Sequence, residues 1–280
     1  MVEEALHVRA LAGRAQDNMI ATFALACERM DGGLVARLDG AVVVAAGLPL
    51  LLFNQLLIED RPVPQERVAA AIAAGVAVFR ERGTRFAVTL RDGTDDAFRP
   101  LVAELGLALL PDSPRMPGMA LHPLPASGGT PAPPGHEIRR VTDARGLADH
   151  ADVLADGFGM PRAWAAAFAT DRMAAAPGIA FYVGYQDGAP VTSGVGVQTG
   201  RTIGVYNIAT VEAARRRGLG AAMTMRVVDE GAAAGCDTAI LQASEMGLSV
   251  YERLGFRTVV EYAGYIDGGA DADEDADEAR

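Results

Sequence analysis

An internal repeat constrains the fold of this chain more than any other feature. "RLDGAVVVAAG" from Arg37 resembles "YQDGAPVTSGV" from Tyr185, and "FNQLLIED" from Phe53 resembles "YNIATVEA" from Tyr206. "LVAELGL" from Leu101 resembles "VYERLGF" from Val250, and all three offsets stay near 150 residues. A chain that repeats itself once at this spacing is expected to fold as two similar units, and its 280 residues suffice for two cores.

Each half reads as a short strand pair, a long Ala-rich helix, a buried strand, a short helix and a closing strand. In the first half the helix is predicted over Pro64 to Arg82, turned by Gly83, and the strand is "RFAVTL" from Arg85. In the second half the helix is predicted over Leu219 to Ala234 with Gly235 as its terminator, followed by the strand "DTAILQ" from Asp237. Strand, helix, strand order implies a right-handed parallel crossover inside a mixed sheet, so the class is α/β. "HPLPASGGTPAPPGHE", His122 to Glu137, is rich in Pro, Gly, Ser and Ala without apolar periodicity and reads as a linker. The expected organisation is a first domain over 1–122, a linker over 123–136, a second domain over 137–266 and a tail over 267–280.

The net charge of -11 is unevenly placed. The closing "DGGADADEDADEAR" holds seven acidic residues and one arginine, and with almost nothing apolar it is expected to be disordered. It lacks the central glycine and distal glutamate of a calcium loop, so no metal is expected. The apolar run Ala41 to Ile58 approaches a membrane span in length but is interrupted by Gly47, Pro49, Asn54 and Gln55. Two buried strands joined at Gly47 to Pro49 explain it better than a spanning helix. Cys27 and Cys236 share no metal or redox spacing, and the acidic start "MVEEALHVRA" lacks the pattern of a secretory signal. A cytoplasmic protein with no membrane or nucleic-acid partner is the expectation.

The richest chemistry lies in "EAARRRGLGAAM", Glu212 to Met223, where three arginines and two glycines open a helical run. Glycine inside a helix costs roughly 0.5–1 kcal/mol relative to alanine, so two together call for a local reason. An anion held on the free N–H groups of the helix start is such a reason, with backbone donors from Arg217 to Ala221 and the arginines adding field. A P-loop is excluded because the sequence contains no lysine, and the dinucleotide fingerprint fails where Met223 stands.

The pattern R-x-x-G-x-G over Arg215 to Gly220, after the strand "YNIAT", resembles the acetyl-CoA signature of the GNAT (GCN5-related) N-acetyltransferase superfamily. "SEMGLSVYERLGF", Ser244 to Phe256, resembles that family's N-x-x-A-x-x-L-Y-x-x-x-G-F segment, with Ser244 in place of Asn and Gly247 in place of Ala. The resemblance spans about Glu137 to Ile266. It implies two tandem GNAT-like domains, each a mixed, mostly antiparallel sheet with a parallel central crossover flanked by helices. It also implies that acetyl-CoA is the acyl donor, with its pyrophosphate on Arg215, Arg216, Arg217, Gly218, Leu219, Gly220 and Ala221 and its pantetheine arm along Ile208, Ala209 and Thr210. Tyr251 is then the general acid that protonates the departing thiolate, a role suited to a phenol of pKa about 10 beside a thiol near 8.5.

No residue announces itself as the base that deprotonates the amine; Tyr206, Glu212 and Glu245 are candidates through a water, and His7, His122, His136 and His150 all precede the site. Trp164, in the helical "GFGMPRAWAAAF", is read as a packing residue or an acceptor contact. In the first half, Val102 stands where Tyr251 stands in the second, and "IEDRPVPQERV" replaces the arginine and glycine loop, so that half is expected to bind no cofactor. The implied function is transfer of an acetyl group from acetyl-CoA to a primary amine of a small molecule or peptide. The rival is a non-catalytic acyl-CoA-binding regulatory module that keeps the phosphate loop without turnover.

Overall fold

The computed structural model describes residues 2–111, 115–125 and 133–267. These divide into two compact units, the first gathering residues up to Gly118 with Ala243–Glu245 and the strand from Thr258, the second holding Met119–Gln242 and Met246–Arg257. The acidic run beyond Asp267 and residues 126–132 of the Pro- and Gly-rich segment lie outside the described residues.

The chain runs α1 (Val2–Cys27), β1 (Leu34–Arg37), β2 (Ala41–Ala45), β3 (Asn54–Ile58), α2 (Gln65–Glu81), β4 (Ala87–Arg91), α3 (Arg99–Glu104), β5 (Leu107–Leu109) and β6 (Met116–Leu121). It continues with β7 (His136–Arg140), α4 (Ala144–Phe158), α5 (Arg162–Phe168), α6 (Asp171–Ala174), β8 (Ile179–Gln186), β9 (Ala189–Thr199) and β10 (Thr202–Thr210). Last come α7 (Leu219–Ala233), β11 (Thr238–Gln242), α8 (Glu245–Arg253) and β12 (Arg257–Asp267).

In the first unit β1, β2 and β3 pair antiparallel, and β3 pairs parallel with β4 through Gln55↔Ala87 to Leu57↔Thr89. The closing strand of the chain completes this sheet: Tyr262 to Tyr265 of β12 pair antiparallel with β4, and Tyr265 to Asp267 with β5. A cut at the linker would assign β12 to the second half, but its hydrogen bonds tie Thr258–Asp267 to the first. The core joins Val43, Leu56, Ile72, Phe79, Val88 and Leu90. Gly75 allows α2 to reach it, because a Cβ there would stand 2.3 Å from Leu56 Cδ1 and 2.9 Å from Val43 Cγ2.

The apolar run from Ala41 resolves as β2, one 3-10 turn at Leu51–Phe53, and β3. The polar residue inside it holds the turn, since Asn54 Oδ1 accepts from Ala46 N at 3.1 Å and Asn54 Nδ2 donates to Leu48 O at 2.9 Å. Among the described residues no helix is long and apolar enough to cross a membrane. The 26-residue α1 has no counterpart in the sequence reading. Its buried side mixes Gln16, Asn18 and Thr22 with Leu11, Met19 and Phe23, which blurs the apolar stripe by which a helix is recognised.

In the second unit β7, β8, β9 and β10 pair antiparallel in that order, and β10 pairs parallel with β11. Successive residues of a strand face opposite sides. Accordingly Phe181 meets His150 of α4, while Gly194 and Gly196 on the other face lie under Met223 and Val227 of α7. His150 is fully buried, donates from Nδ1 to Tyr182 O at 3.1 Å, and packs edge-on against Phe181 at 5.0 Å. Burial lowers its pKa to about 4.

That shift has a definite consequence for stability. The folded state binds the proton less well than the unfolded chain, whose histidine titrates near 6.5. Stability is therefore fully present above about pH 6.5 and is lost as pH falls toward 4, by about 3 kcal/mol for the shift to about 4. Urea titrations of the parent and of His150→Leu across this window should show a shallower acid loss in the variant, whatever its stability at neutral pH. Parallel slopes would mean that His150 is not buried as the neutral imidazole.

Candidate active site

The site is assembled where β10 hands over to α7. The parallel register of β10 with β11 covers Thr202, Ile203 and Gly204, whereas β10 continues to Thr210. Its pairing with β9 slips between Tyr206 and Ala209, where Asn207 adopts a left-handed φ of 52°. Asparagine tolerates that conformation better than most residues. Ser193 Oγ steadies the bulge by donating to Asn207 O at 3.1 Å. Among the described residues the pairing of β10 with β11 stops at Gly204, so the stretch Ile208 to Thr210 lies beyond it, at an edge an extended ligand can pair with.

Beyond β10 the backbone turns through Arg216 at φ 63° and Gly218 at φ 78° into the first turn of α7. No side chain caps that helix, and its first backbone bond runs from Ala222 N to Gly218 O at 3.0 Å. Among the described residues, the N–H groups of Arg216 to Ala221 have no acceptor. Six consecutive donors at a helix start form a ready anion site. Gly220 fits this reading for a second reason. Its φ is not left-handed, and a Cβ there would meet Thr210 Oγ1 at 3.5 Å and Ile208 Cγ2 at 3.8 Å, which are ordinary contacts. The fold itself does not require glycine at 220.

The three arginines divide into separate tasks. Arg215 is structural: Nε donates to Thr210 O at 3.1 Å and an Nη to Gly157 O at 2.8 Å, tying the end of β10 to the end of α4. Arg217 donates to Ala213 O at 3.0 Å and to Gln186 Oε1 at 3.3 Å, while Arg216 is exposed. The acceptors of Arg215 and Arg217 are neutral oxygens, so all three guanidinium groups keep their charge at the helix start. Leu219 is buried with Val191 and Ala214, which anchors the first turn of α7.

Ile208, Ala209 and Thr210 are brought beside this loop by the contacts of Gly220 with Ile208 and Thr210. The sequence reading missed Gly157. A Cβ on it would stand 2.8 Å from Ala209 Cβ and 3.3 Å from Thr210 N, so only glycine lets α4 cross β10 here. Trp164 is half-buried on α5, the helix that follows this crossing.

Tyr251 lies on α8, which follows β11. Because β10 and β11 are parallel, α8 departs from the same end of the sheet at which β10 opens. The helix ends in the turn that the family segment encodes: Gly255 takes φ 93°, and Phe256 N donates to Tyr251 O at 3.0 Å. Phe256 is buried with its ring edge-on to Tyr251 at 6.0 Å. Burial pushes the Tyr251 phenol up to about 12, above the value near 10 expected from its residue type, so the hydroxyl holds its proton firmly. Of the candidate bases, Tyr206 sits at the edge of the bulge, Glu212 is exposed on a 3-10 turn, and Glu245 opens α8 and groups with the first unit.

The corresponding end of the first unit is closed. Gln16 Nε2 of α1 donates to Ile58 O, the last residue of β3, at 2.6 Å. Arg91 is buried in a pair with Asp95 at 2.8 Å and reaches Asp60 at 2.7 Å. Val102, the counterpart of Tyr251, is fully buried in the core.

Residues 177–258 match the family described as "Acetyltransferase (GNAT) domain". Among solved structures, a GCN5-related N-acetyltransferase from Kribbella flavida aligns with a TM-score of 0.65 at 16% identity, covering 90% of this chain and 96% of that one. One from Sphaerobacter thermophilus aligns at 0.58 and 16% identity, covering 81% and 80% of the two chains. A tandem GNAT protein from the clavulanic acid biosynthesis pathway aligns at 0.58 and 16% identity, covering 85% and 79%. No curated protein matches the sequence. Residues 177–258 are thus similar to the GNAT acetyltransferase domain, and the chain has the fold of GCN5-related N-acetyltransferases, a tandem GNAT protein among them.

Proposed function

We propose that the second unit is an N-acetyltransferase that takes its acetyl group from acetyl-CoA and passes it directly to a primary amine. The observation that carries this reading is the row of acceptor-free N–H groups from Arg216 to Ala221 beside the open edge of β10. The loop holds the pyrophosphate of the donor, and Ile208, Ala209 and Thr210 pair with its pantetheine arm. A backbone N–H on the opened strand faces the thioester carbonyl; one such donor is typically worth about 3–4 kcal/mol in the transition state. The amine nitrogen forms a bond to the acetyl carbon as the carbon–sulfur bond breaks. Tyr251 delivers its phenolic proton to the leaving sulfur, and the proton lost from the attacking nitrogen passes through water and restores the phenol. No covalent enzyme intermediate is needed.

Release of thiol from acetyl-CoA, followed across a panel of primary amines, tests this reading. Amine-dependent release with formation of the acetylated amine supports it. Tight cofactor binding with no amine-dependent release across polyamine, aminoglycoside and peptide N-terminal acceptors would favour a non-catalytic acyl-CoA-binding module, the reading to which Ser244 in place of asparagine lends some support.

The first unit is a degenerate GNAT-like partner in this account. Gln16 occupies the strand end that a pantetheine arm would use, and Glu59 and Asp60 stand where phosphates would lie. Calorimetric titration of the full chain with coenzyme A should give one site per chain, and two would contradict the reading. The full chain is required, because a fragment ending near Pro125 lacks β12, the antiparallel partner of β4.

A further inference from the structure

A cavity of about 260 Å³ in the second unit opens where the last turns of α7 cross β8, β9 and β10. It is bordered by Ile203, at the start of β10, and by Glu230 near the C-terminal end of α7. A 15-residue helix is about 20 Å long, so this cavity lies at the far end of α7 from the phosphate loop. Its size falls below the roughly 300–1,000 Å³ of sites for drug-sized ligands, which suits a small molecule.

The walls carry opposite charges. Arg140 stands directly across from Tyr182 in the β7–β8 register, on the same face of the sheet, and has no ion-pair partner among the described residues. The Tyr182 side chain is buried, and burial together with Glu230 pushes its phenol up to about 12, so it remains an O–H donor. On the other wall Glu230 pairs with Arg226 through Oε1 at 2.7 Å, leaving its second oxygen available. The Gln198 amide nitrogen is spent on Gly200 O at 3.1 Å and Ala234 O at 3.5 Å, which leaves its Oε1 as an acceptor. The carbonyl end of α7 adds negative potential on that side. Ala180, on the same face of β8 as Tyr182, and Ile203 supply an apolar patch between the two walls.

We propose that this cavity binds a small zwitterion of the amino-acid type: its carboxylate on Arg140 and the Tyr182 hydroxyl, its ammonium on Glu230 and Gln198 Oε1, and its side chain on Ala180 and Ile203. The site is separate from the acetyl-transfer machinery and does not depend on that assignment.

Saturation-transfer NMR on the full chain tests the proposal with L-leucine, isocaproate, which lacks the amine, and isoamylamine, which lacks the carboxylate. Leucine should bind at millimolar concentration, and each truncated probe should bind at least about tenfold more weakly, the loss expected for one charge-assisted contact. Arg140→Gln should abolish the advantage of leucine over isoamylamine, and Glu230→Gln its advantage over isocaproate. Both residues sit at partly or fully exposed positions, and unchanged coenzyme A affinity verifies that each variant is folded. Absence of leucine binding, equal binding of the three probes, or binding unaffected by both variants would overturn the proposal.

Discussion

Tyr251→Phe is expected to lower kcat about 10²- to 10⁴-fold, the usual loss when a general acid is removed, while leaving coenzyme A affinity and stability nearly unchanged. The ring stays in place because its packing is with the edge of Phe256, 6.0 Å away, and the variant deletes only the oxygen. The loss should fall on kcat rather than KM, since the proton is needed only as the thiolate leaves. A phenol raised to about 12 by burial is protonated throughout the range in which the protein can be assayed, so this residue should impose no alkaline limb on the rate below that pH. A Phe variant turning over within about threefold of the parent, with chemistry rate-limiting, would make Tyr251 a core residue only.

Substitutions at Gly220 should separate the needs of the fold from those of the ligand. A Cβ at 220 meets only ordinary contacts at 3.5 and 3.8 Å, so Gly220→Ala should fold and, by helix propensity, gain about 0.5–1 kcal/mol. Gly220→Val puts branched methyls beside Thr210 and Ile208, into the space over the helix start, and should weaken coenzyme A binding by about tenfold or more. Calorimetry on both variants, with thermal melts for stability, checks the pair. Unchanged affinity in folded Gly220→Val would remove the phosphate loop from the account.

Much of this architecture is legible from local chemistry. The ends of α2 and α7 follow from Gly83 and Gly235, both in the left-handed region, and the break in the apolar run follows from Gly47 and Pro49. The strand-to-helix loop is legible because glycine and arginine at that spacing have few other uses. What stays hidden depends on partners distant in sequence. The buried polar residues of α1 make sense only once Gln16 is seen to serve the carbonyl of Ile58, and the place of β12 only once its register with β4 is known. Nothing in "RRRG" shows that Arg215 bonds Gly157 O, 58 residues earlier, and is spent on the scaffold. The Asn207 bulge is invisible for a related reason, because asparagine in an apolar strand reads equally well as a surface position.

The central claim is that the phosphates of acetyl-CoA rest on the backbone amides at the start of α7. Amide-detected NMR of the full chain, titrated with coenzyme A, tests it most directly. The account predicts that the largest shift changes fall on the N–H groups of Arg216 to Ala221, with Ile208 and Thr210 following and those of β3 and α2 in the first unit unmoved. Saturable binding that leaves the amides of residues 216–221 in place, or that moves the first unit instead, would contradict it.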